Sequence, residues 1–317
     1  MDSRVLPSME TLPPALVVPR WAQPSSPVEN ESDAAFMAGS ALNSLDNLVR
    51  SNPVWAGLWR DRLALKCAVS AVRLAGRNED EAALRDSVLF CAPGDDPGPA
   101  GNIYLGYRAL AGRAKVIDED LLHGLAARFE LRRDDSLATI TGLMGDILQS
   151  GRTAPFVAAE IVEKIMDARP DAELLAWWLA DWATARMLRW ERPVPLLMAE
   201  RFGSAWRTLG GKGRVRPGET GFARALCLAL VQGAAEALRQ AGEIERRAAR
   251  LLEAAPKIRT KGGEPVIHAL LDMDAVSGSA PGVKLSRWAS RRLFERLESM
   301  GAVRELSGRD TFRIYGV

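Results

Sequence analysis

The sequence predicts a mainly α-helical protein, a multi-helix bundle body followed by a small C-terminal module that ends in a short β-hairpin. Three observations carry this expectation. From Asp33 to Ala255 apolar residues recur at helical spacing, with no alternating β-branched run and no internal repeat. Prolines and glycines cut that pattern into helix-sized pieces. Beyond residue 263 the pattern changes: two short amphipathic segments precede the short runs Val303–Leu306 and Thr311–Tyr315, which are joined by the turn sequence SGRD at 307–310.

Taken in order, residues 1–32 hold six prolines and read as a disordered arm, because proline fixes φ and removes a hydrogen-bond donor. Trp21 is its one candidate anchor. The all-α body is placed at 33–255. Ser32 is positioned to cap a helix over 33–50, Asn52-Pro53 to start the next, which stops at Gly76, and Asn78 to cap a third over 79–90. The stretch PGDDPGPAG at 93–101 interrupts helix formation. Further helices are expected over 103–115, 118–131, 136–149 and 155–169, and then over 171–190, which is apolar nearly all round and so belongs at the centre of the body. Pro193 and Pro195 end that helix. A short helix near 196–206, a basic loop GGKGRVRPG at 210–218 and a long amphipathic helix over 221–255 complete the body.

Residues 256–263 form a basic linker, and 264–317 the module. Within it 264–276 is a short helix, and Ser286 caps a second helix that ends at Met300 with Gly301 just beyond. At 100° per residue Leu285, Ala289, Leu293, Leu297 and Met300 form the inward stripe, widened by Phe294. Arg287, Arg291, Glu295 and Glu298 face outward, flanked by Trp288 and Arg292. Arginines precede glutamates here, the reverse of what the helix dipole favours, so a partner outside the helix is implied.

Composition narrows the function. Nine tryptophans, 47% hydrophobic and 26% charged residues describe a globular chain, and its 317 residues suit about two domains. Cys67, Cys91 and Cys227 have no ligand or CxxC spacing and read as free thiols of a reducing cytoplasm. The most apolar stretch, 223–238, is interrupted by Arg224, Gln232 and Glu236, so no membrane partner is expected. Residues 1–200 carry 21 Lys and Arg against 28 Asp and Glu, and residues 201–317 carry 21 against 12. A polyanion would therefore meet the C-terminal third.

Enzyme signatures are few. Asp181 sits among Trp177, Trp178 and Ala185, where a carboxylate is either a general acid or base with a raised pKa or half of a buried ion pair with an arginine. Glu160, Glu163 and Asp167 share a helix face with Lys164, which describes a salt-bridged surface rather than a metal site, and His123 and His268 lack ligand spacing. No phosphate loop, nucleophile elbow or dinucleotide fingerprint occurs, and no cofactor is implied.

The terminal stretch LSRWASRRLFERLESMGAVRELSGRDTFRIYGV resembles the winged-helix ends of several bacterial proteins, including those appended to Fic-type enzymes, although the Fic motif HPFxxGNGR is missing. Together with PVWAGLWRDRLALKCAVSAVRLAGRNEDEAALRD and GDDPGPAG, it makes the chain similar to an uncharacterised bacterial family, the domain-of-unknown-function family numbered about 1403. That resemblance implies a bacterial protein of the kind carried on large plasmids, and imports no activity. The resulting expectation is DNA binding in a regulatory or replicon-associated role. Lys284, Arg287, Arg291 and Arg292 would serve the helix and Arg309 and Arg313 the hairpin. The alternatives are a protein-docking scaffold using the same module, or an enzyme with its site near Asp181. Oligomeric state is left open.

Overall fold

The computed structural model describes residues 17–92, 94–112, 116–132, 134, 136–258, 262–278 and 285–317. The chain is mainly α-helical, with a small three-stranded antiparallel sheet at its C-terminal end. The helices are α1 (Glu31–Ser51), α2 (Ala56–Leu74), α3 (Glu81–Leu89), α4 (Gly98–Ala111), α5 (Glu119–Arg128), α6 (Ser136–Leu148), α7 (Ala154–Ala168), α8 (Glu173–Met187), α9 (Phe222–Ala254), α10 (Gly263–Asp272) and α11 (Arg287–Ser299). The strands are β1 (Val276–Ser277), β2 (Arg304–Glu305) and β3 (Ile314–Gly316). No described helix is long and apolar enough to cross a membrane.

Several helix ends differ from expectation, each for a local reason. Asn30, not Ser32, takes the cap of α1, its Oδ1 accepting from Asp33 N at 2.7 Å. Asp80, not Asn78, caps α3, accepting from Ala83 N at 2.9 Å. The proline-rich break stops at Pro97, because Pro99 lies in the first turn of α4, where its missing N–H costs nothing. Helix α8 ends well before Pro193 and Pro195. Arg189 adopts the left-handed conformation, φ 57°, while Arg189 N reaches Arg186 O at 3.2 Å and Trp190 N reaches Ala185 O at 2.9 Å. That is a Schellman closure with arginine in the place usually held by glycine. The second half of the expected arm is also ordered against the body. Val18, Ala22 and Val28 are buried, and Trp21 packs on Phe36 with ring centroids 5.7 Å apart.

The described chain divides into two compact units. The larger comprises Val17–Arg50 and Leu63–Leu238. Its centre is α8, where every residue from Leu174 to Ala185 is buried, as the all-round apolar pattern requires. Trp178 Nε1 donates to Gly106 O of α4 at 2.9 Å, and Trp177, Trp206 and Phe222 form one aromatic cluster with centroids 5.2 to 6.2 Å apart. The expected helix near 196–206 does not form, apart from a 3₁₀ turn at Ser204–Trp206. Residues Val194, Leu196, Leu197 and Met198 run instead as a buried, non-helical segment.

The smaller unit comprises Ser51–Arg62 and Arg239–Val317. In its sheet β3 is central, with Val276 opposite Tyr315 and Arg304 opposite Gly316. Ile314, Tyr315 and Gly316 of this central strand are all buried. Tyr315 stacks on Phe294 of α11 at 4.4 Å and 11°. The first turns of α2 clamp this sheet. Arg62 Nε pairs with Asp274 Oδ1 at 2.7 Å, Arg62 Nη2 donates to Val317 O at 3.1 Å, and Asp61 Oδ2 accepts from Asp274 N at 2.9 Å. Gly57 permits the approach, since a Cβ there would lie 1.9 Å from Asp272 Oδ1.

Candidate nucleic-acid interface

Both ends of α11 follow local sequence rules. Ser286 Oγ accepts from Ala289 N at 3.2 Å, and Gly301, φ 65°, closes a Schellman motif in which Ala302 N reaches Leu297 O at 2.9 Å. The buried side is Ser290, Leu293, Phe294 and Leu297. Ala289 and Leu285 are only half-buried, so the inward face is turned from the expected stripe toward Ser290. Ser290 fits because its hydroxyl donates to Gly278 O at 2.7 Å, which satisfies a polar group that an apolar count passes over.

The outward face carries Arg287, Trp288, Arg291 and Arg292, all exposed. Trp288 is 70% exposed, with the Arg292 guanidinium 5.3 Å from its ring centroid. Arg291 Nε lies 2.7 Å from Glu295 Oε1. Part of the reversed charge order is therefore an internal pair, in the weaker orientation for neighbours four apart. Lys284, the remaining helix residue of the expected set, lies outside the described residues.

In the hairpin Glu305 anchors the turn, accepting from Ser307 N at 2.6 Å and Gly308 N at 2.8 Å. Arg309 is exposed. Arg313 is half-buried and engaged, its Nε donating to Arg309 O at 3.1 Å with Asp310 3.8 Å away. The expected strand from Thr311 begins only at Ile314. Phe312 takes a left-handed φ of 54° and stands 65% exposed instead of alternating inward with Ile314.

Charge within the C-terminal third is unevenly placed. Residues 264–317 hold 8 Lys and Arg against 7 Asp and Glu, whereas 201–263 hold 13 against 5. Within the smaller unit that excess includes Arg246, Arg250 and Lys257, exposed residues whose spacing of four and seven sets one stripe along α9 and the 3₁₀ turn that follows it. Their periodicity was the signal that would have added them to the expected set. The linker residues Arg259 and Lys261 lie outside the described residues.

Among the described residues Asp181 forms no ion pair with an arginine. Its Oδ2 accepts from Leu196 N at 2.9 Å and from Leu197 N at 3.2 Å, and its Oδ1 lies 3.2 Å from Leu197 N. Burial pushes its pKa up to about 7, against the two amides that favour the charged form. The carboxylate thus anchors the buried 194–198 segment, whose amides would otherwise be orphaned. Burial likewise pushes up the Cys67 thiol, which suits a core filler rather than a nucleophile. Glu160 pairs with Arg152 at 2.9 Å rather than with Lys164.

Comparison with known proteins gave no match among curated sequences. A family model described as "Protein of unknown function (DUF1403)" matches residues 7–317. With nearly the whole chain covered by that match, the protein belongs to the DUF1403 family.

Proposed function

We propose that the protein binds duplex DNA in the cytoplasm, in a regulatory or replicon-associated role, through the smaller unit. The observation that carries this reading is the outward face of α11, where Arg287, Trp288, Arg291 and Arg292 occupy the N-terminal half of the helix. Cations there oppose the helix dipole and gain most from an external polyanion. The order helix, strand, helix and hairpin, with β1 and β2 both paired to β3, supports a winged-helix arrangement in which α11 is the recognition helix. Arg309 and Arg313 would lie on the wing, and Arg246, Arg250 and Lys257 would add phosphate contacts.

Fluorescence anisotropy with duplex DNA across a salt series tests this. Binding should weaken steeply with salt, and Arg287→Ala/Arg291→Ala/Arg292→Ala should flatten the logarithmic slope by about 3, roughly 0.9 for each phosphate that is no longer neutralised. No binding at low salt, or a slope unchanged in the triple variant, would refute the reading. A second reading, protein docking, is favoured by the solvent exposure of Trp288 and Phe312, 70% and 65%. It predicts nuclease-resistant partner capture that Trp288→Ala abolishes.

A further inference from the structure

The larger unit contains a cleft of about 400 Å³ between three walls: the arm residues 24–28, the segment 204–211, and the face of α9 carrying Arg224, Leu228 and Gln232 at intervals of four. Its size falls in the range of small-molecule sites. None of the lining residues is acidic, and two are arginines.

Arg224 is the informative one. It is only 6% exposed, and its hydrogen bond runs from Nη1 to Val28 O at 2.8 Å. No carboxylate of the described residues lies within ion-pair distance of it. A guanidinium removed from water without a counter-ion is expensive, and the cost is relieved when an anion arrives. The surroundings point the same way. Arg207, Ser25 and Ser26 also line the cleft, and all three are exposed. The neighbouring Arg214 guanidinium is held below its ordinary pKa by burial and then by Arg201, Arg207 and Arg73, although Arg201 is itself paired with Glu173 at 2.7 Å. Val28, Leu209 and Leu228 give the cleft an apolar side.

We infer that this cleft binds a small organic oxyanion, a carboxylate or phosphate ester on an apolar body, with Arg224 as the buried anchor and Arg207 as the second cation. Arginine suits the task because its planar fork meets either oxyanion with two parallel hydrogen bonds. The inference stands independently of DNA binding by the smaller unit.

The test is calorimetric titration of the full chain, at ionic strength held constant with chloride, using phenyl phosphate, benzoate and the neutral analogue benzamide. Saturable binding of phenyl phosphate, of benzoate or of both, with benzamide at least tenfold weaker, is the expected result and identifies the source of the charge. Arg224→Gln should abolish the binding. Arg207→Ala, at an exposed site that the fold does not need, should weaken it about tenfold, equivalent to about 1.4 kcal/mol. Benzamide binding as tightly as the anions, no saturable binding of either anion, or an affinity unchanged in Arg207→Ala would overturn the proposal.

Discussion

Replacing Asp181 with asparagine should change how the stability of the protein depends on pH. Asp181 is 1% exposed and meets the Leu196 and Leu197 amides, yet burial still raises its pKa to about 7. In the unfolded chain the same group titrates near pH 4, and each pH unit between the two values is worth about 1.4 kcal/mol. Between about pH 4 and pH 7 the folded state holds a proton that the unfolded state has released, so stability falls as pH rises through that window and levels off above it. The full loss is roughly 4 kcal/mol. Asparagine is neutral throughout and can present its carbonyl oxygen where Oδ2 accepts both amides. The stability gap between Asp181→Asn and the parent should therefore open in the variant's favour by up to roughly 4 kcal/mol between pH 4 and pH 8. Urea unfolding at a series of pH values, followed by the combined fluorescence of the nine tryptophans, measures that gap. Glu163 and Glu200 are also shifted upward by burial, but both proteins share them and they cancel in the difference. Asp181→Ala provides the contrast. It leaves two buried N–H groups without an acceptor and should lose about 2–6 kcal/mol relative to asparagine. A gap that stays flat with pH, or opens in favour of the parent, would show that the amides outweigh burial and would refute the argument.

Two other substitutions probe the backbone. Arg189→Gly removes the left-handed penalty at the end of α8 and should stabilise the protein by about 1 kcal/mol in thermal unfolding; an unchanged or lower transition would count against the Schellman assignment. Gly57→Ala should destabilise the smaller unit by about 1–3 kcal/mol, because the new methyl meets Asp272, whereas Gly39→Ala in α1, with open space around its Cβ position, should gain about 1 kcal/mol. Hydrogen exchange across 263–278 checks the first effect, and unaltered protection there would contradict the close approach.

What the sequence made legible was local. Ser286 and Gly301 act where their neighbours alone require, as the cap of α11 and as its C-terminal closure. The all-round apolar pattern placed α8 at the centre because burial on every side leaves no polar face to conceal. Choosing between adjacent capping residues failed at Ser32 and Asn78, since Asn30 and Asp80 differ from them by only two positions and the chain path beyond the helix decides between them. Long-range partners were not legible. From sequence Asp181 reads either as a general acid or base or as half of an ion pair with an arginine, while its hydrogen bonds in the fold come from the Leu196 and Leu197 amides, which carry no residue signature. On α11 the exposed arginines followed from periodicity, but Ser290 disguised the true inward face. The cleft at Arg224 could not be foreseen, because its walls lie about 200 residues apart in sequence, as the Arg224 to Val28 separation of 196 shows.

The clamp formed by Asp61 and Arg62 has a consequence for how the chain acquires its structure. The carboxylate that Arg62 pairs with is 212 residues further along, and the Val317 carbonyl 255. At synthesis rates of roughly 5–20 residues per second, the start of α2 waits on the order of 10–50 s for its partners. Pairings of such sequence separation also slow folding of the completed chain, because a large loop must close before they form. The smaller unit is therefore a late-assembling one, and a fragment covering only 264–317 would leave Asp274, 1% exposed in the intact chain, without the arginine that neutralises it.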